Sequence, residues 1–295
     1  MNTALSLDVL AVLVLSTSAA IPSATIQALG DEGHVYLGQP AYADVLFVNP
    51  GDVDISVEAG APVGIWEVEG PGWNGQKCRE EGEGVGTGFS DPSISQTWLR
   101  AGEQRLVREI IVQSVCTGAL SRPGLWRVRI GIRTAATGTT VSEWKAITVI
   151  DPTGREAQAI SAFPNGSIDF TEYLKKFGDT AVAGKLLRRQ DEVEEGPAQG
   201  SSMFAQRVSR LAKNQAWLQS AKSWRLQTTE RFLSRHPQSY FAADLQVSLA
   251  AMYAVMGDPK GVERVARALQ RTRPDEASAI LGVAERLRAQ GAVTW

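Results

Sequence analysis

Two cysteines and two histidines are the chain's whole supply of soft ligands and strong nucleophile–base partners. A zinc site usually takes three or four such ligands, so Cys78, Cys116, His34 and His236 would nearly all have to converge on one point to build it. A catalytic cysteine needs a base beside it, and His236 lies in a part of the chain with a different hydrophobic period. The simpler chemistry for an even pair in an exported β-domain is a disulfide between Cys78 and Cys116. It would close a loop of about 38 residues and stabilise by roughly 3 to 4 kcal/mol in the chain-entropy model.

The remaining candidates are weaker. Asp31, Glu32, His34 and Asp44 have metal-ligand chemistry but read as solvated surface. The run Glu81 to Gly88 is glycine-rich. It lacks the lysine and following helix of a phosphate loop, and the regular acidic positions of a calcium loop, so it reads as a mobile connection between strands. No set of nucleophile, base and orienting group can be assembled from these residues. The expectation is therefore a protein that is not an enzyme, with no catalytic, cofactor-binding or metal-binding residues.

Charge is the more informative chemistry. Lys260, Arg264, Arg267 and Arg271 recur at spacings of 4, 3 and 4. They share one face of a helix whose other face carries Val262, Val265 and Leu269. Residues 204–295 hold 14 basic and 7 acidic side chains. Such a stripe is either a solvated outer face or a surface for an acidic protein, anionic headgroups or envelope polyanions. Nucleic acid is not expected, because no recognition motif or interleaved aromatic residues accompany the charge.

These residues must be positioned by two kinds of element. From His34 to Ile150 the chain shows short alternating runs between Gly, Pro, Asn and Asp, which read as antiparallel strands. Trp126, Val128, Ile130 and Ile132 share one face of such a run, with arginines on the other. Beyond Gly154 apolar residues recur at three and four, a helical period. The charge changes at the same place: residues 1–154 hold 10 basic and 17 acidic side chains, and 155–295 hold 20 and 15. The expected organisation is a signal peptide at 1–20, a sandwich at 30–151, a linker with short helices and a flexible loop at 152–203, and a helical domain at 204–295. The loop is placed at Asp191 to Ser202.

The first assignment rests on Val9 to Leu15, an apolar run too short to span a bilayer, followed by small residues through Ala20. The leading segment lacks Lys and Arg, unlike most export signals. Cleavage is placed at Ala20 or Ala24, giving a periplasmic or extracellular protein with no stable membrane span. The composition, with 43% hydrophobic and 21% charged residues and a net charge of -2, excludes a disordered or multi-span membrane chain.

Two resemblances sharpen the fold. Leu37-Gly38-Gln39-Pro40, then Val45 to Asp52, Arg122 to Val128 and Trp144 to Val149 resemble the strands and turns of secreted immunoglobulin-like domains. Ser239 to Pro274 resembles a degenerate tetratricopeptide repeat, with Ala250 and Tyr253 at packing positions, Gly257 at the turn and Pro274 at the close. Gln246 and Val262 depart from that pattern. Glu230 to Ala242 is similar to a junction common in repeat proteins of bacterial envelopes. The resemblance implies an all-β immunoglobulin-like sandwich followed by all-α tetratricopeptide-like hairpins. It also implies an exported scaffold that docks another protein. A repeat groove would be lined by Asp244, Val247, Ala251, Ala254 and Val255, although so short an array has reason to spend these on packing. A carbohydrate-binding accessory module is the alternative, using Trp66, Trp73 and Trp98 as an exposed strip.

Overall fold

The computed structural model describes residues 21–31, 33–52, 54, 65–73, 77–78, 99–134, 138–163, 169–195 and 204–290. The proposed signal peptide, the glycine-rich run, Trp98 and the loop residues 196–202 lie outside these. An N-terminal β region is followed by a C-terminal helical region.

Strands β1 (Ser23–Leu29), β2 (His34–Tyr36), β3 (Tyr42–Val48), β4 (Ile65–Glu69), β5 (Lys77–Cys78), β6 (Gln104–Ile111), β7 (Gly124–Thr134), β8 (Gly138–Val141) and β9 (Lys145–Ile150) form two sheets. One has the order β1-β3-β6, and the other β2-β9-β7-β4-β5 with β8 on β7. The alternation read in β7 holds, since Trp126, Val128 and Ile130 are fully buried. They meet Ile26, Val45 and Phe47 of the other sheet in one core. On the opposite face Arg129 pairs with the buried Glu67 at 2.5 Å, directly across the ladder.

The sheet region starts earlier than the sequence reading placed it. Ser23 to Leu29 is a strand whose Ala24, Ile26 and Leu29 face the core. Its alternation is interrupted at Gln27, which hid it.

A single turn, α1 (Val112–Val115), follows β6. The segment read as a linker with short helices carries three of them, α2 (Gly154–Ser161), α3 (Phe170–Phe177) and α4 (Ala183–Glu195), and the last two bury Tyr173, Leu174, Phe177, Leu186 and Leu187. Asp191 to Glu195 continue α4 and do not open a loop. Gln190, Glu192, Glu194 and Glu195 are good helix formers and extend a helix that Leu186 and Leu187 have anchored.

Then come α5 (Phe204–Lys213), α6 (Gln215–Ser220), a π-helical turn (Ala221–Arg225), α7 (Leu226–Arg235), α8 (Ala242–Val255), α9 (Pro259–Leu269) and α10 (Pro274–Gln290). α8 is apolar around most of its circumference, Asp244, Gln246 and Ser248 aside, and is packed by α4, α5, α7, α9 and α10. At its end Gly257 takes a left-handed φ of 72°. The Asp258 carboxylate then caps α9, accepting from the backbone N–H groups of Lys260 at 3.1 Å and Gly261 at 3.0 Å. Pro259 follows, where no backbone donor is missed.

A third core joins the two regions. Tyr42 of β3 stacks on Tyr240 with ring centroids 5.6 Å apart and meets Phe241 edge-on at 5.0 Å. Around them gather Phe177, Leu186, Phe232 and Leu245. Aromatic pairs of this kind contribute about 0.5–1.5 kcal/mol each beyond their buried area.

Candidate functional site

The junction between the regions is organised by Asp44, which lies in the middle strand β3 opposite two irregularities. On one side Arg108 and Glu109 of β6 stand against Asp44 alone, and on the other Gln27 is an extra residue in β1. Bulges re-aim side chains. Glu109 has a left-handed φ of 58°, costly for a residue with a Cβ and sustained only where the surroundings over-determine it.

What over-determines it is a closed charge network. The backbone N–H of Glu109 donates to Tyr240 Oη at 3.0 Å and to Asp44 Oδ1 at 3.2 Å, and the Tyr240 hydroxyl donates to Asp44. The Glu109 carboxylate pairs with Lys185 and Arg188 of α4. Arg188 reaches Asp244 of α8 at 3.2 Å, Asp244 takes Arg273 at 2.5 Å, and Arg273 takes Glu276 at 3.2 Å. Burial disfavours charge on Arg273, but Asp244 and Glu276 outweigh it and hold the guanidinium above its ordinary value. Burial pushes the Asp44 carboxyl and the Tyr240 phenol upward, so at this point the junction resists ionisation.

A second set surrounds the first turn of the β region. Asp31 accepts from the backbone N–H of Tyr240 at 2.7 Å and is bonded by the Ser239 side chain. Burial pushes its carboxyl upward against those bonds and the two histidines. The imidazole of His236 sits 3.0 Å from the Asp179 carbonyl and 3.7 Å from Glu156. Burial raises Glu156 too, whereas at Asp179 Arg155 and Arg235 outweigh burial and hold the carboxyl low. Asp, His and Ser are thus brought together, but with the Ser239 side chain on Asp31 and His236 Nε2 on a backbone carbonyl. That is an arrangement for holding chain segments, not for passing a serine proton to an imidazole. Sequence spacing gave no hint of it, because Asp31 and Tyr240 are 209 residues apart.

Beside these networks the junction opens into a cleft of about 680 Å³, a size that suits a small ligand or peptide segment. Gln27 of the β1 bulge, Lys145 and Gly30 line its sandwich wall, and Gln238, Gln246 and Arg271 line its helical wall. Gly30 has a φ of +57°, and a Cβ there would lie 2.6 Å from the His34 carbonyl oxygen, so the rim turn accepts only glycine. Lys145 and Arg271 are exposed, and neither has an ion-pair partner among the described residues.

The four basic residues read from the sequence do lie exposed on or just beyond α9. Two are occupied: Arg264 contacts Glu230 at 3.1 Å and the Tyr253 hydroxyl, and Arg267 lies 3.7 Å from Glu263. Lys260 stands at the start of α9, and Arg271 is the one that reaches the cleft. The residues named for a repeat groove lie in or against packing. Val247, Ala251 and Ala254 are buried in the helical core, Val255 packs against it, and Asp244 is held by two arginines. α8 is the central helix, so its apolar positions are consumed by neighbours on every side.

Of the tryptophans, Trp66 is 1% exposed in the sandwich core, and Trp73 packs on it with its ring 6.4 Å from Trp126. They do not form an exposed strip. Among the described residues no group of His, Cys, Asp or Glu could hold a metal, and no helix is long and apolar enough to cross a membrane.

No family profile and no curated protein matches the chain. Solved structures with some similarity are those of a β-glucosidase from Listeria innocua. Its glucose complex is 19% identical with a TM-score of 0.23, and its isofagomine complex 18% with 0.23. Each match covers 44% of this chain and 16% of the enzyme's. At that similarity neither fold nor activity passes from the enzyme to this chain.

Proposed function

We propose that the chain is an exported, non-enzymatic scaffold of the bacterial cell envelope that docks another protein. Its β region would be an immunoglobulin-like sandwich and its helical region a set of tetratricopeptide-like hairpins. The observation that carries this reading is the junction: a packed aromatic core and a charge network hold the two regions around a cleft to which each contributes a cation with no ion-pair partner among the described residues. Groups held by one another cannot serve as movable acids and bases, while a fixed cleft with open donors suits recognition.

Export is supported by the short apolar leader and by the position of β1. Ala24 is buried within that strand, so cleavage at Ala20 would leave the sandwich whole and cleavage at Ala24 would cut into it. A disulfide between Cys78 and Cys116 belongs to the same reading. Cys116 is 2% exposed, no described cysteine is free, and the Cys78 backbone pairs with Trp66 at the sheet's edge. Non-reducing mass spectrometry of the periplasmic fraction tests both, with a chain starting at Ile21 and lighter by two hydrogens as the expected result.

Docking is tested by chemical cross-linking of residues 21–295 in an envelope extract from its own cells. A discrete protein adduct that excess unlabelled protein competes away is expected. Absence of any protein adduct would overturn the scaffold reading.

A further inference from the structure

Resting on that reading, we infer that the interdomain cleft binds an acidic peptide segment of the partner, laid along the outer edge of β1 between Lys145 and Arg271. Three observations converge on this class of ligand.

The first is charge. The acidic groups near the cleft are spoken for: Asp44 accepts from Tyr240 and Glu109, and Asp31 from Tyr240. Lys145 from the sandwich and Arg271 from the helical region have no counter-ion among the described residues. The cleft therefore presents from each wall a cation with no ion-pair partner among the described residues, its lining carboxylate Asp44 being engaged by Tyr240 and Glu109 instead, and a ligand carrying carboxylates would supply the missing counter-ions.

The second is the backbone. β1 is the outer strand of its sheet, so alternate N–H and C=O groups face away from β3. Its bulged residue Gln27 is exposed, and its end at Ala28 and Leu29 lines the cleft. An extended peptide can pair with such an edge, as in strand addition. A glycan has no main-chain amides at strand spacing to pair with it.

The third is the side-chain chemistry. Gln27, Gln238 and Gln246 bring primary amides to the same space, each with paired donor and acceptor. These match main-chain amides, and the alanines between them leave room for a backbone to approach.

The test is fluorescence anisotropy on residues 21–295 with a labelled peptide of alternating Glu and Thr, its Gln-Thr counterpart, and an oligogalacturonate as the acidic sugar. The Glu peptide is expected to bind, with affinity falling as salt rises. Lys145→Glu and Arg271→Glu should each weaken it about tenfold or more. Lys222→Glu, the same charge change on an exposed lysine of the π-helical turn, should leave it unchanged. Circular dichroism of each variant confirms folding. Equal binding of the Gln peptide, indifference to both cleft substitutions, or binding of the sugar in place of the peptide would each overturn the assignment. The cross-linking experiment separates this failure from that of the scaffold. A protein adduct that survives Lys145→Glu and Arg271→Glu leaves the scaffold standing with its partner elsewhere, whereas no adduct at all removes both.

Discussion

The two sides of the junction use the same kinds of residue to opposite ends. On the Glu109 side every charge meets its complement: Glu109 with Lys185 and Arg188, Asp244 with Arg188 and Arg273, and Arg273 with Glu276. On the cleft side Lys145 and Arg271 meet none among the described residues. A partly buried charge must be paired because its desolvation is otherwise uncompensated, while an exposed one can stay open at little cost. On the proposed reading the first side serves stability and the second recognition, and substitutions should separate them.

The largest effect should come from the aromatic core beneath both sides. Phe241→Ala removes a ring, 3% exposed, that meets Tyr42 at 5.0 Å and Tyr240 at 5.0 Å. It should cost about 3–5 kcal/mol in chemical denaturation. Next is Asp244→Ala, which leaves Arg188 and Arg273, 21% and 22% exposed, without a shared carboxylate. A loss of about 3 kcal/mol is expected, with peptide binding weakened only as far as the junction loosens. Removing both Asp244 and Glu109 should cost less than the sum of the two single losses, because they share Arg188; a double-mutant cycle reads that coupling. By contrast Arg271→Glu should leave the melting midpoint nearly unchanged, within about 0.5 kcal/mol, since it breaks no pair.

Asp31 sharpens the comparison through pH. Its carboxyl is raised by burial, so its folded value lies above the unfolded one. Such a group favours folding below its unfolded value, and that contribution is lost as pH rises through the folded value. Asp31→Asn can keep the bond from the Tyr240 N–H without carrying a charge. The variant should therefore be at least as stable as the parent at neutral pH, and the gap should narrow as pH falls into the carboxylate range. Thermal melts across that range read it, and a gap that widens toward acid would contradict the assignment. The smallest effect is expected at Arg267, 79% exposed, where replacement by Ala should change stability by about 0.3 kcal/mol.

The elements that obey one period throughout were legible in the sequence. β7 alternates without interruption and is buried on the expected face, and the Gly257-Asp258-Pro259 turn closes α8 and opens α9 as its residue types require. The junction was not legible, for two physical reasons. Its key side chains sit at bulges, where the period of two fails, so Gln27 obscured β1 and nothing in the alternation singled out Glu109. Its partners are also remote in sequence. Arg271 was marked by helical spacing, but nothing along the chain could place Lys145 across from it. The burial of the linker's short helices was hidden for a related cause. Residues 154–195 carry many charges, and only the surfaces of Tyr42 and Phe232 explain why their few apolar residues are buried.

The central claim is that the open side of the junction, and not the closed one, meets the partner. Backbone hydrogen exchange of residues 21–295 with and without the Glu-Thr peptide tests it most directly. Slowed exchange confined to Gln27–Gly30 and to 237–246 is expected, with the amides of α4 unchanged. Protection that falls on α4 or the exposed face of α9, and leaves β1 untouched, would contradict it.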